Sequence, residues 1–312
     1  MGDIIYTTPV VRCLKLKFPD AEIHFLTKKE FQYIYNNNPY LTKLHLLGTS
    51  LLDTISELKT EQFDLIVDLH SNLRTSIIKM LMRIPSTTYK KDRINKWLAL
   101  KFKLSRFVSS KHLVDRYLDT VKFLGVVNDG KPIDYFISGK YDLEQMLPIS
   151  HRTNYVAFII GATHFTKRMP NDRIIDICRG INQPIVLLGG KDVAHNAVLI
   201  SEAIGHRIYD TCGKINLDQS VFLVSNAKKV IGFDTGLTHI SEAFNKPLAT
   251  IWGGTTAELL GVNPYQISES YMAQIDLSCR PCSKFGLEAC PLEHFNCMKN
   301  IPLAPIVDFV NS

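Results

Sequence analysis

The chain has 312 residues, 46% of them hydrophobic, with 36 Lys and Arg against 30 Asp and Glu for a net charge of +6. That length is enough for two domains of about 150 residues, while no apolar run approaches the roughly 20 residues a spanning helix needs and the first residues lack the order of a secretory leader. A mild positive excess suits an anionic substrate or a membrane face, no nucleic-acid motif accompanies it, and the seven cysteines, an odd number, argue against a disulfide framework. The expectation is therefore a cytoplasmic α/β protein.

In chain order, Gly2-Asp3-Ile4-Ile5-Tyr6-Thr7-Thr8-Pro9 reads as a strand-to-helix turn with Pro9 near the helix start. A doubly wound domain normally reaches such a turn from a buried strand. The first strand is thus expected to be missing from the amino-terminal sheet, or the true start to lie upstream. Strands are predicted at 22–26, 64–69, 155–160, 184–188, 229–233 and 248–252, with helices at 53–60, 113–124, 172–182, 194–204 and 235–244. This alternation is βαβ rhythm and predicts parallel sheets covered on both faces. The least periodic stretch, 128–154, holds Gly130, Pro132, Gly139 and Pro148 and separates two such series, giving domains 1–150 and 151–312.

Asp68, His70, Asn72 and Arg74 leave the strand at 64–69, so they belong at its carboxyl end, where ligands of open α/β sheets bind. They read equally as acceptor-recognition groups or as loop-shaping hydrogen-bonding residues. Between residues 90 and 111, Lys90, Lys91, Arg93, Lys96, Lys101, Lys103, Arg106 and Lys111 alternate with Trp97, Leu100, Leu104 and Phe107 at helical spacing. Such a helix can rest on anionic headgroups, or simply pack one stripe on a core.

The richest stretch is Val-Ile-Gly-Phe-Asp-Thr-Gly-Leu-Thr-His at 230–239, an apolar strand that breaks at an acid before Thr and Gly open a helix. Free backbone N–H groups at such a junction suit a phosphate. Lys167 and Arg168 follow the strand at 155–160 and its Gly161-Ala162-Thr163 loop and, on residues alone, read as a solvated basic pair before Pro170 at a helix start. No Asp-x-Asp metal motif is present. Cys279, Cys282, Cys290 and Cys297 contain one close pair only, whereas structural zinc sites usually draw on two, which favours a packed, reduced segment over a metal.

Taken together, Gly2 to Arg12, Asn38-Pro39-Tyr40, Asp68 to Arg74, Asp234 to His239, and the ending from Cys279-Arg280-Pro281-Cys282 to Cys297-Met298 resemble glycosyltransferase family 9, the ADP-heptose:lipopolysaccharide heptosyltransferases. The resemblance implies a GT-B fold, two Rossmann-like domains facing across a cleft, and inverting transfer without metal or other cofactor. It implies that Asp3 is the general base, a position that on residues alone reads as a helix cap. Lys167 becomes the leaving-group cation. Donor contacts fall on Gly161, Thr163, Gly190, Asp234, Thr235, Gly236, Leu237 and His239, and acceptor contacts on Thr7, Thr8, His70 and Arg74. The partners implied are an ADP-sugar, ADP-heptose first, and a lipid-anchored saccharide at the inner membrane. Two other classes compete: a nucleotide-sugar-binding protein without turnover, owing to the missing strand, and a dinucleotide oxidoreductase, opposed by the lack of Gly-x-Gly-x-x-Gly after any strand.

Overall fold

The computed structural model describes residues 2–103 and 108–312; Leu104, Arg106 and Phe107 of the basic stretch lie outside them. Contacts divide the chain into two units, one of residues 1–93 and 109–138, the other of 94–108 and 139–312, so the second begins at Gly139 and takes in most of the basic helix.

The first unit opens with a short helix, Gly2–Ile5, and a second, Thr8–Lys17, with Pro9 in its first turn. Four strands follow: β1 (His24–Lys28), β2 (Lys43–Leu47), β3 (Ile66–Asp68) and β4 (Ser86–Thr88). They form two separate parallel pairs, β1–β2 and β3–β4, and no strand among the described residues joins them. Ile66 and Val67 of β3 and Phe25 and Leu26 of β1 are accordingly only half-buried, whereas central strands of a parallel sheet are covered on both faces. Leu26 packs with Ile55, Leu58 and Ile78, so helices Leu51–Thr60 and Leu73–Met82 share one apolar cluster.

Arg12 pins this unit from inside. Its Nε donates to Asp129 Oδ2 at 2.8 Å, a second nitrogen donates to the Pro132 carbonyl at 2.9 Å, and Asp134 completes the ion cluster. The guanidinium is 2% exposed. The order Gly-Lys-Pro in the 128–154 stretch thus describes a segment tied back onto the helix Thr8–Lys17.

The second unit holds one six-stranded parallel sheet: β5 (Val156–Ile159), β6 (Ile185–Leu188), β7 (Ile208–Asp210), β8 (Lys229–Phe233), β9 (Leu248–Ile251) and β10 (Ser270–Ala273), in the order β10-β9-β8-β5-β6-β7. Every residue of β5, β6, β8 and β9 is buried, which explains why these runs are apolar without alternation. The order reverses between β5 and β8, and ligands of open α/β sheets bind beyond the carboxyl ends of strands at such a switch point. Gly232 in β8 is required by packing: a Cβ there would stand 2.2 Å from Thr238 Oγ1 of the helix that follows. In the helix Arg93–Phe102, Lys96 Nζ donates to the Leu260 carbonyl at 3.1 Å, and just beyond it Lys103 Nζ donates to the Pro281 carbonyl at 2.6 Å. No helix among the described residues is long and apolar enough to cross a membrane.

Candidate active site

At the switch point of the second unit, the turn after β8 places Asp234 deep below the start of helix Gly236–Ser241. Its carboxylate meets three side chains at once. Lys167 Nζ forms an ion pair with Oδ2 and donates to the Asp234 backbone carbonyl at 3.3 Å; His239 Nε2 lies 3.1 Å from Oδ1; Thr255 Oγ1 donates to Oδ2 at 3.3 Å. Burial alone would raise the carboxyl pKa, yet hydrogen bonding from His239 and the charge of Lys167 hold it well below the ordinary range. His239 shows the mirror image. Burial opposes its charge, and the hydrogen bonds to Asp234 and Glu242 outweigh that and raise it above the ordinary imidazole value.

Lys167 reaches Asp234 because the one-turn helix Phe165–Lys167 is wedged in place by neighbouring loops: Thr166 N donates to the Leu287 carbonyl at 3.0 Å, and Gly254 N donates to the Thr166 carbonyl at 3.1 Å. Arg168, beside it, turns away to Asp192 Oδ2 at 2.6 Å. At Gly161, an added Cβ would stand 3.4 Å from the Gly189 Cα, so the turns after β5 and β6 pass close to one another; Thr163 and Gly190 are exposed on these turns.

Asp234, Thr235 and Gly236, expected to hold a donor, thus come together at one edge with Lys167, expected to act on the leaving group. Thr235 stands at the cap position in extended conformation, its side chain making no capping bond, and it is half-exposed with Gly236. Leu237 is buried. His239 is buried with one ring nitrogen on Asp234 and the other 3.3 Å from Glu242 Oε1, so it braces the aspartate from behind. Sequence reasoning missed Thr255, Glu242 and Arg280. Arg280 is 7% exposed and donates to the carbonyls of Gly253, Trp252 and Thr255 at 2.6, 3.3 and 3.0 Å, fixing the loop that carries Thr255 to Asp234. The strand-Gly-Gly-Thr pattern at 248–255 was the available signal, since it repeats the strand-then-glycine turn seen after β5 and β6.

In the first unit, Asp3 is exposed on helix Gly2–Ile5 and has no ion-pair partner among the described residues. Burial raises the pKa of Tyr89 and Tyr117 and the Asp3 charge adds to that rise, whereas at His70 the same charge works against burial. For His70 burial and the charge of Lys91 win, and its pKa falls. Arg74 is exposed beside a shallow depression of about 660 Å³ that also takes in Lys28, Lys29 and Gly48, the carboxyl end of β1 and the turn after β2. Asp68 is used internally: Oδ1 accepts from the N–H groups of His70 and Ser71 at 3.0 and 2.8 Å, and Lys79 pairs with Oδ2 at 2.8 Å. Thr7 and Thr8 depart from the expectation of ligand contact. Both are buried; the Thr7 hydroxyl donates to the Ile4 carbonyl at 2.6 Å with the Tyr35 hydroxyl also at 2.6 Å, and the Thr8 hydroxyl donates to the Ile5 carbonyl at 2.7 Å and accepts from Asp134 N at 2.9 Å. They lock the junction of the two first helices.

The four carboxy-terminal cysteines are free thiols. Burial raises Cys297 to about 11, and the neighbouring thiols of Cys282, Cys290 and Cys279 add to the shift.

The profile of glycosyltransferase family 9 (heptosyltransferase) matches residues 52–292, well over half of the chain. The chain belongs to glycosyltransferase family 9. It is 21% identical over 282 residues to lipopolysaccharide heptosyltransferase 1 of Campylobacter coli, with 82% of each chain covered. Among solved structures, the E. coli ADP-heptose lps heptosyltransferase II superposes with a TM-score of 0.73 at 16% identity, covering 99% of this chain and 94% of that one. An E. coli heptosyltransferase with ADP gives 0.67 at 18% identity, covering 88% and 90%. At these identities the likeness is one of fold, and that fold is GT-B. This family 9 member is a glycosyltransferase of the heptosyltransferase type, and heptose transfer in lipopolysaccharide synthesis is the activity of the relatives it matches.

Proposed function

We propose that the chain transfers heptose from an ADP-sugar to a lipopolysaccharide core acceptor, with inversion and with the leaving diphosphate neutralised by a protein cation. The observation that carries this reading is the network of Lys167, Asp234, His239 and Thr255 at the switch point of β5 and β8. There the diphosphate meets the half-exposed Thr235 and Gly236 at the helix start, with Gly161, Thr163 and Gly190 on the adjoining turns. Asp234 holds Lys167 aimed. His239 and Glu242 hold Asp234. As the sugar–phosphate bond breaks, charge grows on the diphosphate, and a lysine already fixed in place stabilises it without reorganising. Lys167→Ala should therefore lower kcat by about 10²–10³-fold while changing the donor Kd far less. Single-turnover rates beside ADP-sugar calorimetry check this, and equal losses in rate and affinity would reduce Lys167 to a binding group.

The first unit supplies the acceptor side of the proposal. Asp3, exposed and without an ion-pair partner among the described residues, takes the proton of the attacking hydroxyl, and Arg74 with Lys28 and Lys29 meets an anionic group of the acceptor. The helix Arg93–Phe102 supports a peripheral place at the cytoplasmic face of the membrane. Ile94 is 74% and Trp97 55% exposed, three residues apart on one face, with Lys101 Nζ lying 4.8 Å from the Trp97 ring centroid. Apolar groups at that spacing among lysines suit a headgroup layer. Ile94→Ser with Trp97→Ser should weaken sedimentation with anionic phosphatidylglycerol vesicles by about tenfold and leave transfer to a detergent-free soluble acceptor unchanged.

The two unjoined strand pairs of the first unit favour one second reading, a donor-binding protein without turnover. Tight ADP-sugar binding with no glycosylated acceptor after exhaustive incubation would establish it over the transferase.

A further inference from the structure

A different part of the first unit carries chemistry that the transfer reaction does not use. His24 opens β1, His45 lies in the middle of β2, and Glu61 closes helix Leu51–Thr60. Parallel pairing sets Leu26 opposite His45, which makes His24 and His45 diagonal neighbours. Their rings meet with His24 Nδ1 3.0 Å from His45 Nε2. Glu61 presents Oε2 at 3.8 Å from His24 Nδ1 and Oε1 at 3.8 Å from His45 Nε2. Among the described residues, this is the group of histidine, cysteine and carboxylate side chains whose ligand atoms converge, all within 4.8 Å of one another.

We propose that His24, His45 and Glu61 bind a divalent first-row transition ion, zinc above all, as a structural site of the first unit.

The dimensions fit. Zinc–nitrogen bonds of about 2.05 Å in a tetrahedron set neighbouring ligand atoms about 3.3 Å apart. The His24 Nδ1–His45 Nε2 edge of 3.0 Å and the His24 Nδ1–Glu61 Oε2 edge of 3.8 Å bracket that value, and the ligand atoms, all within 4.8 Å of one another, need only side-chain adjustment to close on an ion. Two imidazole nitrogens and one carboxylate oxygen are ligands that zinc accepts, with a fourth position left for water.

The surroundings are those of a ligand set. The other nitrogen of His45, Nδ1, lies 3.4 Å from Glu57 Oε1, and a carboxylate behind a histidine fixes the tautomer that turns Nε2 toward a metal. Phe63 stands edge-on to both rings, with centroids 5.0 Å from His24 and 6.2 Å from His45. The side chains of His45 and His24 are 2% and 8% exposed. Lys43 pairs with Oε1 of Glu61, which leaves Oε2 facing His24.

Position assigns the role. His24 begins β1, and Glu61 and Phe63 precede β3, so the group sits toward the amino ends of strands whose carboxyl ends carry Lys28, Gly48 and the Asp68 loop. An ion there ties β1, β2 and helix Leu51–Thr60 together in the unit whose strands form two separate pairs, and it stands apart from the sugar-transfer residues.

The test uses full-length protein dialysed against EDTA and then titrated with zinc chloride alone. Wild type should bind at this site one equivalent that is weakened at least tenfold in both His24→Gln and Glu61→Gln, and its thermal midpoint should rise by roughly 5–10 °C at about a hundredfold excess over Kd. Wild type loaded with cobalt(II) should show visible bands of a four-coordinate ion without thiolate charge transfer in the near ultraviolet. That spectrum decides the matter even where a variant fails to fold. No zinc bound, zinc retained equally by both variants, or a thiolate band placing the ion on Cys279, Cys282, Cys290 and Cys297 would each overturn the proposal.

Discussion

Asp3→Asn is expected to lower the transfer rate by about 10²–10⁴-fold while leaving ADP-sugar affinity within a factor of two, because a general base acts on the acceptor hydroxyl and not on the donor. The substitution keeps the size of the side chain and the helix Gly2–Ile5 that carries it, so loss of fold is not expected. A second readout follows from the electrostatics. The Asp3 charge raises the pKa of His70, so neutralising it should move the His70 titration, followed by NMR, further down. A shifted His70 with an unchanged rate would keep Asp3 near that loop and remove it from the chemistry.

Asp234→Ala is expected to have the largest effect on stability. The carboxylate is buried between Lys167 and a protonated His239, and removing it leaves Lys167 without its ion pair and His239 with Glu242 alone. Breaking a buried pair in this way costs about 3–5 kcal/mol, which denaturant unfolding of the second unit would register. The pH dependence has two limbs. Asp234 has a lowered folded-state pKa, so its contribution is present above the ordinary carboxylate value and is lost as pH falls through the lowered one. His239 has a raised folded-state pKa, so its contribution is complete below the ordinary imidazole value and is lost as pH rises through the raised one. The network therefore stabilises most between about pH 4 and pH 6.5. His239→Gln should flatten the alkaline limb and leave the acid limb in place.

The second unit was the more legible half of the sequence, for a physical reason. Strands buried on both faces must be continuously apolar, so β5, β6, β8 and β9 stand out as runs that end in glycine or acid. β2 escaped notice because Lys43 and His45 interrupt it, and β4 and β7 because three residues carry too little pattern. Site residues were legible where chain order puts them beside a strand end, as with Asp234, Thr235, Gly236 and Lys167. They were illegible where a distant loop supplies the partner: Thr255 and Arg280 matter only because the fold brings 252–255 onto Asp234. His239 was read from its spacing after Thr235, yet its ring turns inward to two carboxylates, a choice made by burial and not by periodicity. Thr7 and Thr8 show the same limit, since a hydroxyl near a ligand edge and one closing a helix junction look alike in sequence. His24 and His45 lie 21 residues apart and become neighbours only through strand pairing.

The most direct measurement is mass spectrometry of a heptose-deficient lipopolysaccharide core incubated with the protein and ADP-heptose in excess EDTA. The account predicts one added heptose per acceptor, in the anomeric configuration opposite to the donor, with ADP released in equal amount and the product absent for Asp3→Asn. An unmodified acceptor beside intact, tightly bound ADP-heptose would contradict it, as would transfer that stops in EDTA at a temperature where the metal-free protein is still fully folded.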